Sequence, residues 1–237
     1  MRACKASTWA RALRRVDMLE VRHMDAWHGR AQVLFDLNLQ VMPGEWVMLR
    51  GLNGAGKSSL LEGLMGLGPS VRGEVRWKGQ SMVGWTPSQR ARAGLGWVAE
   101  SRRIFTDLTV RENLWMGARP GPWGSCEQVQ DWLLDGFAPL KPMLSRQANR
   151  MSGGEQQMLA LARTLMGQPE LLLLDEPCEG IAPVLVQTIR QVLQSLSHRG
   201  TAMLVAEQGP VLASLAHRSL HLVSGRLTDA SWPNPLH

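Results

Sequence analysis

The sequence predicts an α/β fold with a mixed core sheet, an antiparallel β subdomain and a small inserted helical subdomain, and three observations carry that reading. First, the apolar run Glu45-Trp46-Val47-Met48-Leu49-Arg50 enters Gly51-Leu52-Asn53-Gly54-Ala55-Gly56-Lys57-Ser58, which fits G-x-x-x-x-G-K-[ST]: a strand turning through a Gly-rich loop into a helix. Second, Leu171-Leu172-Leu173-Leu174-Asp175-Glu176-Pro177 is a continuous apolar run ending in two acids, the pattern of a strand buried on both faces of a parallel sheet. Third, short strand-like segments dominate up to about residue 80, whereas residues 101–150 carry helical periodicity broken by prolines.

The Gly-rich loop needs those residues for a chemical reason. Glycines let backbone N–H groups close around phosphate oxygens with no Cβ in the way. Lys57 brings a positive charge to the outer phosphates, and the Ser58 hydroxyl is suited to ligate Mg²⁺. The helical run from Lys57 through Ser59 to Met65 points its positive end at the same anion. This is a nucleotide site.

Composition bounds the rest. A chain of 237 residues with 44% apolar content is long enough for one large domain with a sizeable core. No apolar run approaches the roughly 20 residues that span a bilayer. Net charge is +6, but residues 1–17 hold Arg2, Lys5, Arg11, Arg14 and Arg15 against Asp17 alone. We read this stretch as a disordered basic extension, since it lacks the apolar core of a secretory signal. The folded part shows no stripe of Lys and Arg interleaved with aromatics, so no nucleic-acid partner is expected. Cys4, Cys126 and Cys178 are widely separated and lack metal-ligand spacing, which fits a reducing cytosol.

In chain order, residues 19–23 and 36–41 read as short strands joined by a turn around His28-Gly29-Arg30. Pro43-Gly44 turns into the strand before the Gly-rich loop. Arg72 to Gln80 reads as a strand ending at a Gly turn, so an antiparallel sheet beside the nucleotide strand is expected. Pro87 to Ala93 fits a short helix and Leu95 to Ala99 a strand. Thr109 and Glu112 stand at capping-box spacing ahead of a helix through Met116, and Glu127 to Phe137 reads as a second helix. Together they define a helical subdomain over about 101–155, whose Trp and Met residues are read as core, with a docking surface as the alternative. Ser152-Gly153-Gly154-Glu155 is a further capping box opening a helix, Gln156 to Met166, and its glycines expose the first N–H groups as a second anion-binding helix start. At the end of the Leu171 strand, Asp175 is suited to hold Mg²⁺ and Glu176 to polarise an attacking water. Pro183 to Leu196 is an amphipathic helix, Thr201 to Ala206 another buried strand ending at Glu207-Gln208, and Leu220 to Arg226 a closing hairpin.

The Gly-rich loop, the Ser-Gly-Gly-Glu-Gln-Gln helix start and Leu-Leu-Leu-Leu-Asp-Glu-Pro occur in an order and spacing that resemble the ATP-binding subunits of ABC transporters, over residues 18 to about 227. The resemblance implies a P-loop ABC-type ATPase domain over 18–237, with ATP and Mg²⁺ as ligands and a head-to-tail pair of subunits sandwiching two nucleotides. It implies further roles. Ser152, Gly153, Gly154 and Glu155, after Met151, would contact the ATP of the partner subunit. Glu176 matches the catalytic glutamate and Gln208 the switch position, where most relatives have His. Glu100 matches the Q-loop position that senses Mg²⁺ and faces the membrane subunits, and His28 or Trp27 stands where an aromatic stacks on adenine.

Gly94 to Phe105, Ser152 to Ala160 and Glu179-Gly180-Ile181-Ala182-Pro183 are closer still to the second ATPase of branched-chain amino acid importers, with urea and amide importers similar. That implies two different ATPase chains, two membrane permease subunits and a solute-binding protein, with this chain peripheral on the cytoplasmic face of the membrane. The alternative reading is a near-inactive regulatory subunit of a heterodimer, favoured by Gln208 and opposed by the intact Lys57, Asp175 and Glu176.

Overall fold

A computed structural model describes residues 18–228, so the basic stretch 1–17 lies outside the described residues. In chain order the elements are β1 (Leu19–His28), β2 (Ala31–Val41), β3 (Trp46–Arg50), α1 (Lys57–Met65), β4 (Ser70–Trp77), β5 (Gln80–Ser81), α2 (Pro87–Arg92), β6 (Leu95–Val98), α3 (Val110–Gly117), α4 (Cys126–Gly136), α5 (Gly153–Leu165), β7 (Leu171–Asp175), α6 (Pro183–Ser197), β8 (Ala202–Ala206), β9 (Arg218–Val223) and β10 (Arg226–Leu227). They form two sheets. One is antiparallel, in the order β2-β1-β4-β5; the other is mixed, in the order β10-β9-β3-β8-β7-β6, with only the β10–β9 pair antiparallel.

The central strands are apolar up to their last residues, Arg50 in β3 and Asp175 in β7, because they serve two cores. Trp46 and Met48 of β3, Leu172 and Leu174 of β7, and Met203 and Val205 of β8 face α5, α6 and the helices of 110–136. Val47 and Leu49, Leu171 and Leu173, and Ala202 and Leu204 face the other way, onto α1 and the antiparallel sheet. The period-2 alternation therefore sorts one continuous apolar run onto both faces of the sheet. Helix α1 is buried at Leu60, Leu61 and Leu64, between the two sheets.

Three differences from the sequence reading have physical causes. Strands β1 and β2 are longer than 19–23 and 36–41, because each is interrupted by a residue in the left-handed region, His23 (φ 49°) and Asp36 (φ 50°), where the register shifts. Those two polar residues pair with each other, His23 Nδ1 to Asp36 Oδ1 at 2.7 Å, and break the alternation that marks a strand. Helix α5 begins at Gly153, inside the glycine pair, because the Ser152–Glu155 capping box closes there. Trp115 and Met116 are exposed, 43% and 62%, against the reading of this segment's Trp and Met residues as core. Further along, Trp123 and Trp132 pack partly buried, edge to face with ring centroids 5.9 Å apart.

Leu172 is fully buried in the centre of β7. Leu172→Ala is expected to cost about 3 kcal/mol through the cavity it leaves. Thermal unfolding should then show a Tm lower by roughly 6–12 °C for a domain of this size.

Candidate functional site

Parallel pairing brings three strand ends to one edge. Leu49 pairs with Ala206 and Ala206 with Asp175, so the loops after β3, β7 and β8 all open on the same side. A cleft of about 380 Å³ lies there, lined among others by Asn53, Gly56, Lys57, Ser58, Glu100 and Glu176. The sequence analysis proposed these residues together, and the fold gathers them. Leu52, Gly54 and Ser59 also line this cleft. Gly51 and Ala55 line a neighbouring cavity of about 520 Å³ on the other side of the loop, together with Gln208.

Two of the glycines are fixed by space, and Gly56 by conformation as well. Gly56, the residue before α1, has φ +105°, and a Cβ there would meet Leu34 Cδ2 at 2.7 Å. A Cβ on Gly51 would meet the Leu222 carbonyl oxygen at 2.4 Å. The loop thus threads between β2 and β9; the Ala55 amide closes it by donating to the Leu52 carbonyl at 3.1 Å.

Lys57 is the buried cation of the site, 6% exposed. Its ammonium donates to the Gly51 carbonyl at 2.8 Å and the Leu52 carbonyl at 3.4 Å, and stands 3.0 Å from Glu176 Oε1. That carboxylate oxygen is buried with no aligned hydrogen-bond donor. The other, Glu176 Oε2, accepts the Gln208 backbone N–H at 3.1 Å. Glu176 itself sits at φ +44°, a strained backbone for a residue with a Cβ, and its amide donates to the Ala206 carbonyl at 2.9 Å. The strain turns the side chain out of β7 toward Lys57.

Asp175 is 3% exposed and its Oδ1 has no partner. Burial raises its pKa to about 6; Ser58 and Lys57 pull it down, while the charges of Glu100 and Glu176 push it up. Among the described residues no cluster of three His, Cys, Asp or Glu side chains is placed to hold a metal ion. The donors present, an unpaired carboxylate oxygen beside the Ser58 hydroxyl, suit a hard cation that keeps waters and takes phosphate oxygens as further ligands.

His28 does not line the cleft but borders it: its Nε2 is 3.0 Å from Oγ of the lining residue Ser59, and the neighbouring Trp27 ring carries the Arg72 guanidinium at 5.0 Å from its centroid. Ser152, Gly153, Gly154 and Glu155 start α5 and do not line the Lys57 cleft; the Arg102 guanidinium lies over Gly153, and Leu185 packs on Gly154. Sequence reasoning passed over Glu207, which is 3% exposed and lies behind Glu176 and Gln208. An acid directly after a buried strand was the available signal.

The fold and this cleft define a P-loop nucleotide-binding ATPase domain. The ABC transporter family model matches residues 34–179, and the chain belongs to that family as an ABC-type ATPase, the ATP-binding subunit of a transporter. It is 40% identical over 89% of its length, and 91% of the relative's, to the high-affinity branched-chain amino acid transport ATP-binding protein BraG of Pseudomonas aeruginosa. It is 30% identical over 92% of its length, and 94% of the relative's, to the probable branched-chain amino acid transport ATP-binding protein LivF of Archaeoglobus fulgidus. Among solved structures, a dimeric ATP-binding cassette in a post-hydrolysis state with ADP and Pi superposes with a TM-score of 0.79 at 22% identity, over 90% of this chain and 97% of that one. No helix of the described residues is long and apolar enough to cross a membrane.

The pH dependence of the nucleotide-free chain follows from Asp175. Its folded pKa lies above the unfolded value of 3.8, so the native state binds the extra proton, and stability falls as pH rises from about 4 through about 6. Asp175→Asn is therefore expected to stabilise the nucleotide-free, metal-free protein at pH 8 by an amount on the order of 2 kcal/mol, raising its Tm, and to leave its stability unchanged at pH 4. Calorimetric scans at the two pH values check this.

Proposed function

We propose that this chain is the hydrolysing motor of an ABC importer for branched-chain amino acids or a related small polar solute. The observation that carries the motor reading is the buried Lys57–Glu176 contact at the mouth of a glycine-built phosphate cradle, with Asp175 one residue away. The solute class is supported by the names of the two relatives above; selection of the solute belongs to a solute-binding protein and two membrane permease subunits. A second ATPase subunit completes the pair, and the chain works peripherally on the inner face of the membrane. Residues 101–155 act as the helical subdomain that faces the permeases, with Glu100 at its entrance.

In this reading the loop amides of 52–57 and the Lys57 ammonium hold the β- and γ-phosphates. Entry of the triphosphate exchanges the Lys57–Glu176 contact for a Lys57–phosphate contact, which frees Glu176 to orient and deprotonate water. Ser58 and Asp175, with Glu100 near them, would hold Mg²⁺, which neutralises charge developing on the phosphoryl oxygens. Ser152 to Glu155 present an N–H-rich helix start to the nucleotide of the partner subunit, and Trp27 or His28 borders the adenine. Gln208 contributes through its backbone N–H on Glu176 Oε2, a bond that needs no imidazole. That bond favours the motor over a regulatory subunit, because the departure from His leaves the Glu176 support in place.

Glu176→Gln is expected to lower ATP turnover by roughly 100-fold or more while ATP binding is retained, since the amide cannot take the water's proton. Lys57→Ala is expected to remove ATP binding itself. Turnover and equilibrium ATP binding, measured on the chain assembled with its partner ATPase, check both. Undiminished turnover in Glu176→Gln would move the chain to the regulatory class.

A further inference from the structure

Glu207 is a buried carboxylate to which the mechanism above gives no task, and it closes the turn that carries Gln208, behind Glu176. We infer that Glu207 is a positioning residue for hydrolysis: it locks the turn carrying Gln208 against the loop carrying Glu176, and so holds the Glu176 carboxylate in place.

The contacts form a closed circuit. The Glu207 amide donates to the Leu49 carbonyl at 3.2 Å, extending the β3–β8 ladder one residue and fixing the direction of the side chain. Glu207 Oε2 then accepts the Leu212 N–H at 3.1 Å, which closes the turn Gln208-Gly209-Pro210-Val211 onto its own first residue. The Cys178 thiol, buried two residues after Glu176, lies beside the same carboxylate. On the front the Gln208 N–H holds Glu176 Oε2. The loops after β7 and β8 are therefore bonded at Glu176, through a turn that Glu207 closes from behind.

A turn that served stability alone would be closed more cheaply by a neutral side chain. A carboxylate with 3% exposure carries a desolvation cost, and here it faces the like charge of Glu176, with Arg50 as the cation that favours its ionised form. The thiol beside it is held protonated, its pKa pushed up to about 12 by burial and by the neighbouring acids. Cys178 thus does not become a competing anion. The structure spends an acid–thiol pair on the two loops whose mutual placement sets the Glu176–Gln208 bond.

The inference rests on the reading of Glu176 as the general base, and the test separates the two. On the full chain assembled with its partner ATPase, Glu207→Ala is expected to lower kcat about ten-fold while the KM for ATP changes less than about two-fold, the split of a residue that acts only on the chemical step. Glu207→Gln, whose amide oxygen still accepts the Leu212 N–H, should recover most of that loss. Cys178→Ala, a milder change that leaves the turn closed, should lower kcat about two- to five-fold at the same KM. Amide hydrogen exchange of residues 208–212 should quicken in Glu207→Ala and remain slow in Glu207→Gln. In the Glu176→Gln background Glu207→Ala should remove less than a further two-fold, because the group it positions is gone. A full ten-fold loss in that background, a rise in KM at constant kcat, or unaltered exchange over 208–212 would each overturn the assignment. If Glu176→Gln alone left turnover unchanged, the general-base reading would fail instead.

Discussion

The parallel register of β3, β8 and β7 is the constraint on which the site depends. Leu49 stands opposite Ala206, and Ala206 opposite Asp175, so three loops leave the sheet at one level. The ladder continues past the strands: the Glu207 amide reaches the Leu49 carbonyl and the Glu176 amide the Ala206 carbonyl. Side chains alternate faces along a strand, so a one-residue slip would turn Asp175 away from the cleft. The slip is blocked by the two cores. Leu172 and Leu174 fill one and Leu171 and Leu173 the other, and all four are fully buried. Placement of the acids is thus a consequence of core packing on both faces of the sheet.

How much of this was legible in the sequence depended on how local the signal was. The Gly-rich loop, the capping boxes at Thr109 and Ser152 and the strand of four leucines are set by residues within a few positions of one another, and the α/β fold could be read from them. The extents of β1 and β2 could not, because His23 and Asp36 interrupt them with left-handed backbone that only their cross-strand pairing makes tolerable. Trp115 and Met116 were misread for a related reason: a helical stripe says that a face is apolar, not what covers it. Glu207 was passed over because burial of a carboxylate depends on neighbours distant in sequence, here Leu49, Glu176 and Cys178.

The electrostatics of the cleft explain why these parts must act together. Asp175, Glu176 and Glu207 are gathered at the ends of β7 and β8 beside a single buried ammonium, Lys57, with Glu100 lining the same cleft. A triphosphate entering such a place would meet mutual repulsion with every one of these acids. Two features lessen that conflict. The loop amides and the first turn of α1 supply partial positive charge with no ion to desolvate. Asp175 and the Ser58 hydroxyl offer oxygen donors where a divalent cation would pair the acidic wall with the phosphates. Without nucleotide, the same conflict is eased by Lys57 turning to Glu176 and by the raised proton affinity of Asp175. The cleft is therefore poised between two arrangements of the same charges. Lys57 serves the acid in one and the phosphate in the other, and its transfer from Glu176 to the phosphate is what would release the carboxylate to act on water.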